Sequence, residues 1–409
     1  MIDNKNISKF AISIIEKLQN NNFQAYLVGG CVRDLLCDLK PKDFDIATDA
    51  TPNEVRKIFK ASRIIGRRFR LVHIYSRSEL IEVATFRSGD TNSDGELIKD
   101  GSGKIVRDNI WGNLDQDTFR RDFTINALYY CPITKEIVGH QDGIKDIQKK
   151  KIVSIGNPKQ RFDEDPVRSL RAIRFSNKLN FKIDRKIKDA IYEKGHLLSS
   201  ISNARIFDEF CKIFLNGMAE KNFNKLSSFG LNKFLIANEP EKTDYSRKLV
   251  TEALRNTDKR FKTNKSVTPG FLIAALLWPE LLSKCLSKGE INLKKFFRSM
   301  DPVLRKQQKI TAIPRKFNSY IKDIWILQLK LHSRIGKQPY KTLRHPRFRA
   351  AYDLMLLREK SSTKKRSLGK WWTGFQKNDD NKRKLLINSL KEKDLHESFK
   401  TFGFSEELR

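Results

Sequence analysis

Ile7, Phe10, Ala11, Ile14, Ile15 and Leu18 fall at helical spacing, so the chain opens on an amphipathic helix. The run Ala25 to Val28 is a strand that stops at Gly29-Gly30, and Phe44 to Ala47 reads as a second strand. Thr51-Pro52-Asn53-Glu54 forms a capping box with proline at the first helical position. Strand-like runs follow at Leu71 to Tyr75 and Leu80 to Phe86. The polar stretch from Ser88 to Asp108 holds Gly89, Gly95, Gly101 and Gly103 and predicts a mobile loop. Ile152 to Ile155 reads as the last strand, and from about Pro158 the pattern is helical nearly throughout. Strands first and helices afterwards predict an α+β head followed by an all-α body.

At 409 residues the chain has room for two or three domains, and 39% hydrophobic content excludes wholesale disorder. The longest uncharged apolar stretch, Ser266 to Pro279, falls short of the ~20 residues a membrane span needs. The first residues, MIDNKNISKF, lack the basic region and apolar core of a signal peptide. Cys31, Cys37, Cys131, Cys211 and Cys285 are scattered and form no zinc knuckle, which fits a reduced, cytoplasmic chain.

Charge changes the picture more. Lys and Arg number 81 against 48 Asp and Glu, a net of +33 that predicts attraction to a polyanion. Nucleic acid is the first candidate and an anionic membrane surface the second, although part of the excess is plain Lys enrichment. Between Asp301 and Lys370 there are nineteen Lys/Arg and four Asp/Glu, interleaved with Phe317, Tyr320, Trp325, Tyr340, Phe348 and Tyr352. Aromatics at helical spacing are usually core, so the basic excess itself is the feature that points to RNA or DNA.

Three blocks carry candidate chemistry. In LVGGCVRDLLCDLKPKDFDIATDATP, Gly29 and Gly30 end a strand and open a short helix bearing Arg33 and Asp34, a turn that lets backbone N–H groups approach an anion. Asp43-Phe44-Asp45 follows; alternation along a strand puts both carboxylates on one face, where mutual repulsion is relieved by a metal or a shared proton. Oxygen donors beside substrate phosphates suit Mg²⁺. An isolated D-x-D is more often a solvated strand end, but the preceding Gly-Gly turn strengthens the metal reading. RRDFTINALYY places Arg120, Arg121, Asp122 and Asn126 at the start of what reads as an apolar helix, with Asp122 and Asn126 one turn apart. RFDEDPVRSLRAIRF sets Asp165, Arg168, Arg171 and Arg174 at three-residue steps beside a core-facing Val167, Leu170 and Ile173. Taken alone, such arginines are also what a solvated helix face looks like, and Glu164-Asp165 before Pro166 reads equally as acidic capping. GSGK at Gly101 fails as a phosphate loop, because Ile98 and Ile105 occupy the positions that require Gly and Ser/Thr.

Together GG-x-VRD, DFD, RRDFTINA and EDPVR-x-LRA-x-RF resemble the polymerase β-type nucleotidyltransferase superfamily, and within it the group of bacterial poly(A) polymerases and class II CCA-adding enzymes. GRRFRLVHI, VRDNIWG and the stretch from Asp323 to Arg358 followed by Lys370-Trp371-Trp372 are similar to the poly(A) polymerase branch. The resemblance implies a catalytic head at 1–157, a helical neck for base recognition at 158–225, a basic RNA-binding body at 226–360 and a basic, partly flexible tail at 361–409. It implies template-independent transfer of adenylate from ATP to RNA 3′ ends with Mg²⁺ or Mn²⁺, in RNA 3′ polyadenylation and turnover. Asp43 and Asp45 would hold metal, and Asp122 would be the third catalytic residue, with Glu82 on LIEVATF as a rival third carboxylate. Gly29, Gly30, Arg33, Arg120, Arg121, Asn126, Asp165, Arg168, Arg171 and Arg174 would face the nucleotide. The competing expectations are a CCA-adding enzyme with the same head and a catalytically dead RNA-binding protein; protein partners cannot be read from the sequence.

Overall fold

The computed structural model describes residues 2–66, 70–77, 79–88, 97–99, 105–108, 110–140, 142–237, 243–287, 290–362 and 368–390. The chain divides into two compact units, Met1–Lys194 and Gly195–Arg409.

In the first unit, helix α1 (Lys9–Gln19) starts where the Ser8 side chain accepts the Ala11 N–H, and it buries Ala11, Ile14, Ile15 and Leu18. Strand β1 (Ala25–Val28), helix α2 (Gly30–Leu36), strand β2 (Asp45–Thr48) and helix α3 (Pro52–Ile58) follow. The capping box at Thr51 and Glu54 forms as expected. Strands β3 (Ser62–Ile65), β4 (Leu71–Tyr75) and β5 (Leu80–Thr85) come next, then a short antiparallel pair, β6 (Leu97–Lys99) and β7 (Ile105–Asp108). That pair stands inside the stretch expected to be a loop; GSGK and much of the remaining stretch lie outside the described residues.

Helix α4 (Leu114–Phe119) leads into a single 3₁₀ turn and then strands β8 (Leu128–Cys131) and β9 (Glu136–Gly139). The apolar helix expected after RRDF is therefore a strand. All four residues of β8 are buried between β1 and β9, and a strand enclosed in this way reads as one apolar run with no alternation to distinguish it from a helix. Among the described residues the main sheet has seven strands in the order β3-β4-β5-β2-β1-β8-β9, with β2 and β5 parallel and every other neighbour antiparallel. Val28, Ala47, Phe86 and Tyr129 make a core cluster of the sheet.

Helix α5 (Gly143–Gln148) precedes β10 (Lys151–Ile152), which is not the last strand: it pairs in parallel with β11 (Lys182–Ile183), apart from the main sheet. Helices α6 (Pro158–Glu164), α7 (Val167–Leu179) and α8 (Arg185–Lys194) complete the unit. The segment expected as one neck is thus divided, its first helices belonging to the head's unit.

In the second unit, α9 (Asn203–Phe214), α10 (Ala219–Ser228), α11 (Asp244–Lys262) and α12 (Pro269–Cys285) precede a small hairpin, β12 (Leu286–Ser287) and β13 (Glu290–Ile291). They are followed by α13 (Leu293–Gln308), α14 (Arg315–His332), α15 (Gln338–Leu343), α16 (Phe348–Ser361), α17 (Leu368–Lys377) and α18 (Asp380–Asn388). The long apolar stretch noted in the sequence is α12, a helix buried along most of its length, including Trp278. No described helix is long and apolar enough to cross a membrane. Trp325, Phe348 and Tyr352 are core, as aromatics at helical spacing should be, and the Trp325 indole N–H donates to the Ala274 carbonyl at 3.0 Å. Part of the expected flexible tail is core as well. Trp371, Trp372 and Phe375 of α17 pack with Leu327, Leu331, Phe348 and Met355, and the Trp372 indole donates to the Leu331 carbonyl at 2.8 Å.

Candidate active site

Gly29 has φ +70°, a conformation that side chains rarely adopt, and it caps α2. A Cβ there would stand 3.2 Å from Arg121 Nη1 and 3.4 Å from the Asn126 carbonyl oxygen. The Gly-Gly turn is therefore pressed against the RRDFTIN segment, and glycine at position 29 meets both demands.

Beside this turn lies a carboxylate edge. Asp45 opens β2 and sits opposite Glu82 in the parallel β2–β5 register. Asp43 is in the bend before β2, so the expected strand of Phe44 to Ala47 begins one residue later and only Asp45 of the pair is in it. The two carboxylates are still brought together. Asp45 is pushed up to about 6, first by removal of its carboxylate from bulk water, then by the charges of Glu82 and Asp43, with Arg121 opposing. Glu82 Oε1 is 3.2 Å from His73 Nε2, its cross-strand neighbour on β4. Among the described residues no three His, Cys, Asp or Glu side chains sit closely enough to hold a metal by themselves. Crowded carboxylates with little cationic relief fit a divalent cation whose remaining oxygen donors come from substrate and water.

A polar chain ties the three blocks together. Arg33 donates from Nε and Nη2 to Asp34 Oδ1 at 2.9 and 2.6 Å, and from Nη1 to Asn126 Oδ1 at 2.5 Å. Lys178 of α7 reaches Asp34 Oδ2 at 2.7 Å. Asn126 Nδ2 donates to Asp122 Oδ1 at 3.0 Å, and Arg171 Nε to Asp122 Oδ2 at 2.7 Å. Burial would raise the Asp122 carboxyl, but Arg171, Asn126 and the Phe123 N–H hold it below its ordinary value. Arg33, expected at the nucleotide, is only 3% exposed and braces Asn126. Asp122, expected as catalytic, is engaged by Arg171 and Asn126.

Asp117 escaped the sequence reading, although it precedes Arg120 and Arg121 by one helical turn. Its Oδ1 accepts from Arg120 Nε and Nη2 at 2.8 and 2.6 Å, and its Oδ2 from Arg121 Nη2 at 2.9 Å and the Tyr129 hydroxyl at 2.5 Å. Burial acts to raise this carboxyl, yet Arg121, Arg120 and Tyr129 hold it well below the usual carboxylate range. Asp117 thereby aims both guanidiniums, and Arg121 is the cation whose field reaches Asp45.

The α6–α7 corner docks on the same segment. Arg161 Nη2 donates to the carbonyls of Arg120 and Arg121 at 2.6 and 2.8 Å. Arg168 Nη1 donates to the Arg161 carbonyl and to Glu164 Oε2, both at 3.0 Å, and Nη2 to the Arg120 carbonyl at 3.3 Å. Asp165 Oδ1 accepts the Val167 N–H at 3.2 Å, as the acidic-capping alternative to base contact would have it. Val167, Leu170 and Ile173 are buried as expected, while Arg174 and Arg171 flank the Phe175 ring at 4.4 and 5.5 Å. Arg161 and Glu164 were missed as supports because their partners are backbone carbonyls or lie on a neighbouring helix.

Comparison with known proteins gives three family matches: "Poly A polymerase head domain" over residues 25–153, "Probable RNA and SrmB- binding site of polymerase A" over 180–243, and "Polymerase A arginine-rich C-terminus" over 288–400. "Poly(A) polymerase I" of Haemophilus influenzae is 39% identical over 94% of this chain and 88% of its own. "Poly(A) polymerase I" of Escherichia coli O6:H1 is 39% identical over 96% and 87%. The "CCA-adding enzyme" of Lactococcus lactis subsp. lactis is 31% identical over 86% and 80%. Among solved structures, the Bacillus stearothermophilus CCA-adding enzyme in complex with CTP aligns over 95% of this chain and 86% of its own, with TM-score 0.60 and 24% identity, a likeness of fold.

Proposed function

The chain belongs to the poly(A) polymerase family of nucleotidyltransferases, and from that premise we propose that it is a polynucleotide adenylyltransferase extending RNA 3′ ends with adenylate from ATP, without a template. The observation that carries the reading is the Asp43–Asp45 edge beside the Gly29 turn and the α6–α7 corner. The CCA-adding alternative shares the head but matches at lower identity, 31% against 39%, and the arginine-rich C-terminal family also matches this chain. A binding protein without catalysis is disfavoured by the intact carboxylate edge.

Asp43 and Asp45 are the metal ligands, with Glu82 the neighbouring carboxylate best placed to assist them. Bound there, Mg²⁺ (or Mn²⁺) would supply acidification of the RNA 3′-hydroxyl and neutralisation of triphosphate and leaving pyrophosphate. The Gly29-Gly30 turn and the guanidiniums of Arg120 and Arg121 face the triphosphate. Arg33, Asn126, Asp122 and Arg171 keep that surface rigid by linking α2, the RRDFTIN turn and α7. Asp165 and Arg168 read the base: a carboxylate accepts from an exocyclic amine and a guanidinium donates to a ring nitrogen. Adenine and cytosine both present that pair on their pairing edge, whereas uracil and guanine present the reverse. Arg174, stacked on Phe175, belongs to the same basic face. The scattered free cysteines fit action in the reducing cytoplasm.

The test is incubation of purified protein and a generic RNA with each labelled nucleoside triphosphate separately. Extension by ATP in many successive additions is expected. Incorporation of no nucleotide, or of CTP ahead of ATP, overturns the reading.

A further inference from the structure

The second unit holds a cavity of about 170 Å³ lined in part by Arg260 of α11, Phe271 of α12, Tyr320 of α14, and Arg347, Arg349 and Asp353 at the start of α16. Three guanidiniums and one carboxylate thus line it. Asp353 fixes two of them, with Arg260 Nη1 3.3 Å from Oδ2 and Arg349 Nη2 2.9 Å from Oδ1. Arg260 Nε also donates to the Ser266 carbonyl at 3.0 Å. Tyr320 is held by close packing: a Cβ on Gly270 would stand 2.9 Å from its ring. The exposed Arg347 guanidinium lies over that ring, 4.8 Å from its centroid.

A pocket for a drug-sized ligand is typically ~300–1,000 Å³, so this cavity suits a single flat ring with a phosphate at its mouth. Fixed cations beside a guanidinium–aromatic stack match what one unpaired nucleotide offers: an anion and a π-face on one rigid unit. An acidic peptide would engage the arginines but would leave the stack unused. Tyr320 is half-buried at the cavity, whereas Trp325, Phe348 and Tyr352 of the same basic stretch are core.

We propose that this cavity is an RNA anchor, taking one unpaired nucleotide of the substrate strand with its base on the Tyr320–Arg347 stack and its phosphate toward Arg260 and Arg349. The proposal rests on the reading of the chain as an RNA-extending enzyme. Stacking is tolerant of base identity, so the anchor would hold any single-stranded 3′ region, as an enzyme that lengthens its own substrate requires.

The test compares Arg347→Gln and Tyr320→Leu with the unaltered full chain in binding fifteen-nucleotide oligo(A), an abasic strand of equal length, and a polyglutamate peptide. Loss of one stacked base predicts about fivefold or more weaker oligo(A) binding in each variant, with the Tyr320→Leu effect absent on the abasic strand. The loss falls on KM for RNA and not on kcat. Arg347 is exposed, so its variant carries the test if Tyr320→Leu does not fold. Unchanged oligo(A) affinity, equal loss on the abasic strand, or peptide binding that responds to Tyr320→Leu overturns the anchor. If the unaltered chain extends RNA while the variants bind it normally, the anchor alone falls; if it neither binds nor extends RNA, the proposed function falls too.

Discussion

Asp45 and Glu82 stand directly opposite each other on adjacent parallel strands, two carboxylates side by side at the edge nearest the Gly29 turn. Asp43 adds a third charge to the same place, and partial desolvation together with both neighbours pushes Asp45 up to about 6. A fold selected for stability alone would not keep that arrangement. On the function proposed above, divalent cations offset that repulsion.

Asp43→Asn and Asp45→Asn should each lower transfer by about a thousandfold or more, the scale of the several kcal/mol a metal contributes to such a step. RNA affinity and folding should survive. Near-normal activity of either variant in Mg²⁺ would remove the assignment.

The same crowding has a sign in stability. Asp45 binds its proton more tightly folded, near 6, than its ordinary 3.8, so the ionised group destabilises the fold. That penalty is absent below about pH 4, grows to about pH 6 and is flat above it. Because the residue is partly open to water, its size is about 1 kcal/mol at most, so Asp45→Asn should raise Tm at pH 7 by ~2–4 °C and leave it unchanged at pH 4. Added Mg²⁺ with ATP should stabilise the unaltered protein and not the variant. Thermal denaturation across pH checks both statements.

Glu82→Gln and Asp122→Asn separate the two candidates for the third carboxylate. Glu82→Gln should reduce kcat with little change in Tm. Asp122→Asn leaves Arg171 without its charged partner at a buried site and should destabilise by about 3 kcal/mol. A variant of Asp122 with full stability and lost kcat would reverse the assignment.

Asp117→Asn should also cost about 3 kcal/mol, since it leaves Arg120 and Arg121 facing a neutral group. The folded Asp117 carboxyl lies below its ordinary 3.8. Its contribution is therefore complete above about pH 4 and is lost as pH falls further toward the folded value. A chemical-denaturation series at pH 7 and at pH 3 should show the gap between variant and parent narrowing at the lower pH.

Asp165→Ala and Arg168→Ala should each raise KM for ATP and blur its selection over UTP and GTP, by ~1–3 kcal/mol per unpaired group. Glu164→Gln, which loosens Arg168 without touching Asp165, should give a smaller change in the same direction. Unchanged selectivity in both alanine variants would place base reading elsewhere.

Much of this architecture was legible in the sequence, and the exceptions have physical causes. Thr51 and Glu54 announce their capping box through local spacing alone, and the α7 core face follows from Val167, Leu170 and Ile173. β8 was misread as helix because a strand covered on both faces loses its alternation. Asp43 and Asp45 were singled out by spacing and Glu82 by resemblance, but the register that sets Glu82 opposite Asp45 depends on a parallel pairing between β2 and β5, which lie far apart in sequence. The long-range bonds of Arg33 and Asp122, to Asn126 and Arg171, are equally invisible to periodicity.

Charge should show itself in salt dependence. Residues 195–409 carry 45 Lys and Arg against 21 Asp and Glu, a net of +24. Affinity for single-stranded RNA should therefore fall linearly in log–log form, with slope roughly −0.7 per phosphate contacted. Binding that is insensitive to salt between low and physiological ionic strength would contradict a backbone-tracking surface.

The most direct measurement is the sequence of the 3′ ends produced when the protein is given equal ATP and CTP, on a generic RNA and on a tRNA lacking its terminal CCA. Adenylyl transfer as described here predicts adenosine tails of varied length on both substrates. Addition of C, C and A to the tRNA followed by arrest, with the generic RNA left unextended, would contradict it.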